Sequence, residues 1–420
     1  MSGACIVFIE SNTTGTGRLF AREARQQGFR PVVVCATPER YAYIENERID
    51  VLRADTSAPG HILEMLRRFS TQEQIAGVLS SSDYFVQTAA EVAQELGLPG
   101  PSPAALRTVK DKLEQRKHLE AAGVPIPRFR AASTADEAAN AAQAIGYPVV
   151  IKPCFGSGSY GVRLCASRTE VEEHTLTLLA LRQNERGQPL PPRVLVEEFA
   201  VGPEYSVETF SLSVAGVTAK YLGIPPRFVE VGHDFPADLE ESTRSAVCGT
   251  ALDSLRAMGL GWGPAHIEVK LTQTGPCVIE VNSRLAGGFI PELVRLASGV
   301  DLIALTIQLA AGLQLRLHQT EKRYASIRFL LAPADGSFAG ISGYQAAQTS
   351  LNVQVDVYRK QGDPIQRYGD FRDRVGHVLA VADTASSAQA MAGNVQRQIA
   401  VLVDARKTQS TGQLSAVGLS

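Results

Sequence analysis

Apolar and polar positions change their period several times along this chain, and each change marks an element. Cys5-Ile6-Val7-Phe8-Ile9-Glu10 is a buried β-run; a helical period follows to about residue 27, and residues 31–35 return to strand. Strands near 51–52 and 76–80 then alternate with helices over 60–69 and 84–97. That order predicts an open parallel α/β sheet. Leu98-Pro99-Gly100-Pro101-Ser102-Pro103 breaks the pattern, and a boundary is expected there. Two helices follow, the second over about 110–122, stopped by Gly123 with Pro125 beyond.

Further along, a strand over 147–153 carries Lys152, a glycine-rich loop covers 155–162, and a helix spans 168–183. A polar loop over 184–192 leads to a strand over 194–199 and β-alternation through 204–223. Residues 231–237, with Gly232, His233 and Pro236, read as a loop before a helix over 238–258. Two short strands, 266–270 and 278–284, form a hairpin through Thr274-Gly275-Pro276. Helices over 289–299 and 301–312, strands over 325–331, 353–358 and 377–382, and a helix near 384–402 complete the pattern. The expected units are an N-terminal domain over 1–102, a core over 103–320 with a lid at about 148–200, a C-terminal subdomain over 321–405, and a disordered tail over 406–420.

Composition narrows the class. Of 420 residues, 45% are hydrophobic and 20% charged, with a formal net charge of -2. Those are proportions of a soluble globular protein with room for two or three cores. The near-neutral balance leaves no footprint for nucleic acid or an anionic membrane. No stretch reaches the ~18 uninterrupted apolar residues of a membrane helix, and the first apolar run lacks a signal peptide's basic flank. Six cysteines form no C-x-x-C pair and mostly sit in apolar runs. Buried reduced thiols in a cytoplasmic protein are expected, not a disulfide or zinc framework.

The hairpin carries the densest chemistry. Alternation sets Glu280, Asn282 and Arg284 on one face of its second strand, and Glu268 beside His266 and Lys270 on its first. Two carboxylates and a carboxamide oxygen suit Mg²⁺, and an arginine beside them can neutralise a phosphoryl oxygen. A solvated amphipathic face is the plainer reading of the same residues. Phe155-Gly156-Ser157-Gly158-Ser159-Tyr160-Gly161-Val162 packs no core, so its backbone N–H groups are free to approach an anion. It is neither a Walker A loop nor a nucleophile elbow. The Glu197-Glu198-Phe199 strand end followed by Gly202-Pro203-Glu204 offers an edge to a purine, with acids near its amine and ribose. Ser80-Ser81-Ser82-Asp83 falls at a strand's carboxyl end, where ligands of open sheets gather, or caps the next helix. Gly15-x-Gly17 lacks the third glycine of a dinucleotide loop, Phe20 standing in its place.

Taken in order, the Lys152 strand, glycine loop, Glu-Glu-Phe strand with Gly-x-Glu, and Glu…Glu-x-Asn-x-Arg hairpin resemble the ATP-grasp superfamily over residues 103–312. The region before them is similar to its accompanying N-terminal domain. The resemblance implies an α/β protein with an open parallel N-terminal domain, ATP-grasp central and lid domains of α+β type, and a C-terminal α+β subdomain. It implies ATP with Mg²⁺ or Mn²⁺. Lys152 would meet the adenine side and α-phosphate, and Lys112 phosphate. Gly156, Ser157, Gly158, Ser159 and Gly161 would close over the β- and γ-phosphates. Glu197 would face the adenine amine, Glu198 and Ala200 would lend main-chain groups on either side of Phe199, and Glu204 would hold the ribose. Glu268, Glu280 and Asn282 match the magnesium ligands, and Arg284 the arginine on the transferring phosphoryl group.

Where biotin-dependent carboxylases carry a Gln-Val-Glu-His run after that arginine, this chain has Leu285-Ala286-Gly287-Gly288. The glutamate that handles bicarbonate is missing, which disfavours a carboxylase. Gly232-His233-x-Phe235-Pro236-Ala237, Asn282 through Gly288, Ala325-Ser326-Ile327-Arg328-Phe329 and Arg374-Val375-Gly376-His377-Val378 look like the L-amino acid ligases. That resemblance implies an acyl-phosphate ligase joining two amino acids, or an amino acid and an amine, with Arg328 and His233 lining the amino-acid pocket. It allows a homodimer. The alternative is an ATP-grasp ligase or carboxylase acting on another carboxylate or a purine precursor.

Overall fold

The computed structural model describes residues 3–12, 16–156, 158–184, 186–226, 228–343 and 352–404. Gly15, Ser157 and the 406–420 tail lie outside the described residues. β1 (Cys5–Ile9), β2 (Arg30–Cys35), β3 (Asp50–Arg53) and β4 (Ile75–Leu79) form a parallel sheet in the order β3-β2-β1-β4. Every residue of β1 is buried. Helices cover both faces of such a sheet, so its strands read as continuous apolar runs. Helix Thr16–Gln26 packs on one face through Phe20 and Ala21, and helix Pro59–Phe69 on the other through Ile62 and Leu66.

Helices Pro103–Lys110 and Lys112–Ala121 lead into the region expected to be a lid. Its strands β5 (Phe129–Ala132), β6 (Val149–Pro153), β7 (Arg163–Cys165) and β8 (Val194–Glu198) pair antiparallel in the order β5-β8-β6-β7. Hydrophobic period predicts neither β5 nor helix Ala135–Ile145. The helix buries Ala138, Ala139 and Ala142, which contribute little contrast, but its start is signalled by a capping pair. Thr134 accepts from the Glu137 amide and Glu137 reaches back to the Ser133 amide.

The remaining strands are β9 (Glu204–Phe210), β10 (Ser213–Leu222), β11 (Glu230–Phe235), β12 (Pro264–Thr272), β13 (Gly275–Asn282), β14 (Tyr324–Leu331), β15 (Gly336–Ser342), β16 (Val353–Val357), β17 (Pro364–Ile365), β18 (Arg374–Ala382) and β19 (Ala400–Asp404). Eight of them build one antiparallel sheet, β13-β12-β9-β10-β11-β14-β18-β16; β17-β15-β19 is a small separate one. The chain after residue 321 therefore extends the central sheet. Helix Glu241–Ala257 covers one face of that sheet. On the other face, buried residues run from Phe8 and Phe20 through Leu293 and Ile307 to Ile327 and Phe329, joining the N-terminal sheet to the central one.

Two sequence expectations change here. Residues 230–235 are strand β11 and not a loop, because Gly232 is a site of close approach rather than a turn signal. A Cβ there would fall 2.7 Å from the Ile327 carbonyl oxygen and 2.9 Å from the Arg328 side chain. The final helix stops at Gln398, and residues expected to continue it form β19 against β15. Among the described residues, no single helix is long and apolar enough to cross a membrane.

Candidate active site

A cleft of about 1780 Å³ lies between the central sheet, the lid and the carboxyl end of the N-terminal sheet. Its volume exceeds the roughly 300–1,000 Å³ of an ordinary small-molecule site, leaving room for more than one substrate. The β12–β13 hairpin stands at one side. Its register pairs His266 with Asn282 and Glu268 with Glu280, so the two glutamates face each other directly across the strands. Pro276 is tolerated because β13 is an edge strand.

Like charges directly opposite on a sheet repel, and each is offset by a lysine. Lys220 Nζ lies 2.6 Å from Glu268 and Lys112 Nζ 3.0 Å from Glu280. Asn282 Oδ1 accepts from Arg284 at 3.4 Å. Among the described residues, no three His, Cys, Asp or Glu side chains form a ready-made metal cage. Mg²⁺ needs none: it takes one or two carboxylates and completes its shell with water and substrate phosphate. The opposed carboxylates and carboxamide oxygen fit it.

Lys152 is buried, with its Nζ 2.7 Å from Glu197; Arg116 Nε meets the other oxygen of that carboxylate at 2.6 Å. Burial favours the uncharged acid, yet the two cations hold Glu197 below the usual carboxylate range. Both oxygens of Glu197 are thus occupied, which leaves it a buried counter-ion; Glu198, half exposed, pairs with Arg128 at 3.0 Å. Lys112 also donates to the Gly156 carbonyl at 2.6 Å, tying the glycine loop to the hairpin acid. That loop needs its glycines: Gly158 has φ +68°, and a Cβ there would meet Phe371 at 2.8 Å. Arg372 lies over the Tyr160 ring, so the C-terminal segment touches the loop.

Several functional candidates escaped the sequence reading. Buried Lys220 on β10 is 3.1 Å from Glu204, 2.9 Å from Glu230 and 2.6 Å from Glu268. Burial alone would lower its ammonium, but Glu230, Glu268 and Glu204 raise it well above the usual lysine value. Glu230 also pairs with Arg374 at 2.7 Å. His266 sits between Glu208 at 3.1 Å and Glu268 at 3.3 Å. Burial opposes its charge, and Glu208 first among its neighbours raises it to about 9, so it is an imidazolium at neutral pH. No spacing rule marks Lys220 or Glu230, because sheet register alone brings them together. Arg116 did carry a signal: Lys112, Gln115, Arg116 and Leu119 recur at helical spacing and are all buried.

Arg284 lies 3.3 Å from Asp83, so the Ser80-Ser81-Ser82-Asp83 end of β4 does reach the cleft. Arg186, from the lid's polar loop, donates to the Ser11 carbonyl at 2.8 Å and the Tyr41 hydroxyl at 3.1 Å. Arg328 and His233 depart from expectation. Cross-strand pairing sets Arg328 opposite Gly232 and His233 opposite Ile327, so the two point to opposite faces of the sheet. Arg328 grips Asp234 at 2.7 and 3.2 Å, lies over the Tyr221 ring and does not line the cleft. His233 is fully buried beneath Gly288, with its Nε2 3.6 Å from Glu230. The arginine facing the cleft from this part of the sheet is Arg374.

Comparison with known proteins agrees with this geometry. Residues 145–292 match the ATP-grasp domain family, 21–100 the ATP-grasp N-terminal domain, and 328–404 the L-amino acid ligase C-terminal domain 2. Protein y4rH of Sinorhizobium fredii, itself uncharacterised, is 40% identical over 395 residues, covering 94% of this chain and 81% of that protein. The chain belongs to the ATP-grasp superfamily of carboxylate–amine ligases. Within it, the chain is similar to L-amino acid ligases and to carnosine synthase. The crystal structure of the L-amino acid ligase from Bacillus licheniformis shares the fold at a TM-score of 0.79 and 20% identity, covering 96% of this chain and 100% of that one. Carnosine synthase 1 of Gallus gallus is 30% identical over 325 residues, covering 71% of this chain; the chain spans 34% of that protein's length.

Proposed function

We propose that this chain activates an amino-acid carboxylate with ATP and joins it to the amine of a second amino acid, releasing ADP and phosphate. The observation that carries the reading is the meeting of Glu268, Glu280, Asn282 and Arg284 with Lys112 and Lys152 in one cleft. A carboxylate is a poor electrophile until its oxygen is a good leaving group. Its oxygen attacks the γ-phosphorus, the bond to ADP breaks, and an acyl phosphate results. The amine nitrogen then attacks the acyl carbon, phosphate leaves, and the amine loses its proton. Holding two anions together is the protein's task. Lys112, Lys152 and Arg284 offset their repulsion, and the glycine loop covers the triphosphate and excludes water. Glu268, Glu280 and Asn282 would hold Mg²⁺, which supplies further charge neutralisation at the phosphates. No nucleophilic side chain is required. The free thiols of all six cysteines support a cytoplasmic setting.

The test is a panel of amino-acid pairs with ATP and Mg²⁺, reading phosphate release and product mass, with bicarbonate and aminoimidazole ribotides as alternative acceptors. Dipeptide mass with stoichiometric phosphate is expected. Phosphate release that depends on bicarbonate or a ribotide, with no amino-acid product, would overturn the reading.

A further inference from the structure

At the C-terminal side of the cleft stands a group of residues that the nucleotide and acid chemistry leaves unused. Phe289 adopts a left-handed backbone, φ +63°, unusual for a large side chain. The residue is 41% exposed at the cleft. The ring stacks on Tyr358, centroids 6.2 Å apart and 10° from parallel, and lies 4.4 Å from His377. The Tyr358 hydroxyl meets His377 Nδ1 at 2.8 Å, and His377 Nε2 lies 3.5 Å from Asp356, so the aromatic wall is fixed from behind. Burial pushes the His377 imidazolium down to about 4, so the ring is neutral and its Nδ1 accepts from the tyrosine.

Three arginines line the cleft next to this wall. Arg372 is held by Asp370 at 2.6 Å and Arg374 by Glu230 at 2.7 Å. Arg359 makes no ion pair among the described residues. Its guanidinium reaches only the Arg372 carbonyl, at 3.4 Å, and its Nε is buried without a hydrogen-bond partner among them. A cation left open at a cleft is a place for an anion.

Resting on the ligase reading above, we infer that this is the acceptor subsite: Arg359 takes the α-carboxylate of the second amino acid, and Phe289 with Tyr358 takes a large planar or apolar side chain. The chemistry separates the two substrates. The first spends its carboxylate in the acyl phosphate, whereas the second keeps its carboxylate throughout and needs a counter-charge. Flat, partly exposed rings offer their faces to an aromatic side chain.

The two half-reactions can be read apart. Hydroxylamine traps an acyl phosphate as a hydroxamate with no acceptor present. In Arg359→Met, hydroxamate formation from the first amino acid should change by less than about twofold, while KM for the acceptor rises about 10- to 100-fold. The wild type should prefer an acceptor acid to its primary amide, and the variant should lose that preference. Arg359→Lys, which keeps the charge, should restore part of it and guards against misfolding. Phe289→Ala should lower kcat/KM for aromatic acceptors more than for alanine. Retention of the acid-over-amide preference in Arg359→Met, or an equal loss of hydroxamate formation, would overturn the subsite. Absence of hydroxamate in the wild type with every amino acid would overturn the ligase reading itself.

Discussion

Gln115 and Val281 exchange a pair of hydrogen bonds: the Gln115 carboxamide donates to the Val281 carbonyl at 2.9 Å and accepts from the Val281 amide at 2.8 Å. A helix side chain thus occupies the open edge of β13 at the residue between Glu280 and Asn282. Gln115→Leu leaves a buried amide and carbonyl unpaired, and the fold should lose about 1–3 kcal/mol. Urea unfolding with an unchanged slope checks this. A larger fractional loss in ADP release than in stability would show that the edge contact also aims the flanking Glu280 and Asn282 side chains.

Glu280→Gln keeps the side chain's size and removes the charge facing Lys112. ADP release should fall by about 100-fold or more, with the circular dichroism spectrum unchanged. Arg284→Ala should behave alike, since it removes the cation beside Asn282. Wild-type turnover in either variant would refute the assigned roles.

Gly288 has φ +59°, and a Cβ there would lie 2.5 Å from His233 Nε2. Gly288→Ala should cost about 2–4 kcal/mol from left-handed strain and overpacking. Gly287→Ala, with open space around it, should cost less than about 1 kcal/mol. Thermal melting of the two variants side by side makes the comparison.

His377 gives the fold a pH dependence. Burial lowers it from 6.5 to about 4. Above 6.5 the ring is neutral folded or unfolded. As pH falls toward 4, the unfolded chain takes up a proton that the folded chain refuses, so stability drops, by about 3 kcal/mol from this group. His377→Asn, which keeps an acceptor for Tyr358, should flatten that part of the stability curve measured by denaturation between pH 7 and 4.

The parallel strands and the Glu268/Glu280/Asn282/Arg284 hairpin were legible because period-2 alternation and charged residue types coincide there. Helix Ala135–Ile145 was not, since alanines give weak contrast and only the Thr134–Glu137 pair announces it. Gly232 and Asp234 mimic a turn, which hid β11 and misplaced His233. Arg328 shows a limit of a different kind. Its motif is plain in the sequence, but the face it occupies depends on the register of β14 against β11, and a one-residue difference in register reverses every side chain. Lys220 and Glu230 meet through the β10–β11 pairing, whose register shifts between Tyr221 and Leu222 and so cannot be counted off the sequence.

Arg186 ties the polar loop before β8 to Ser11 and Tyr41 of the N-terminal region, while Arg372 of the C-terminal region lies over Tyr160. The strands around the glycine loop are therefore held to both flanking regions by residues that stand apart from the acids and lysines of the cleft.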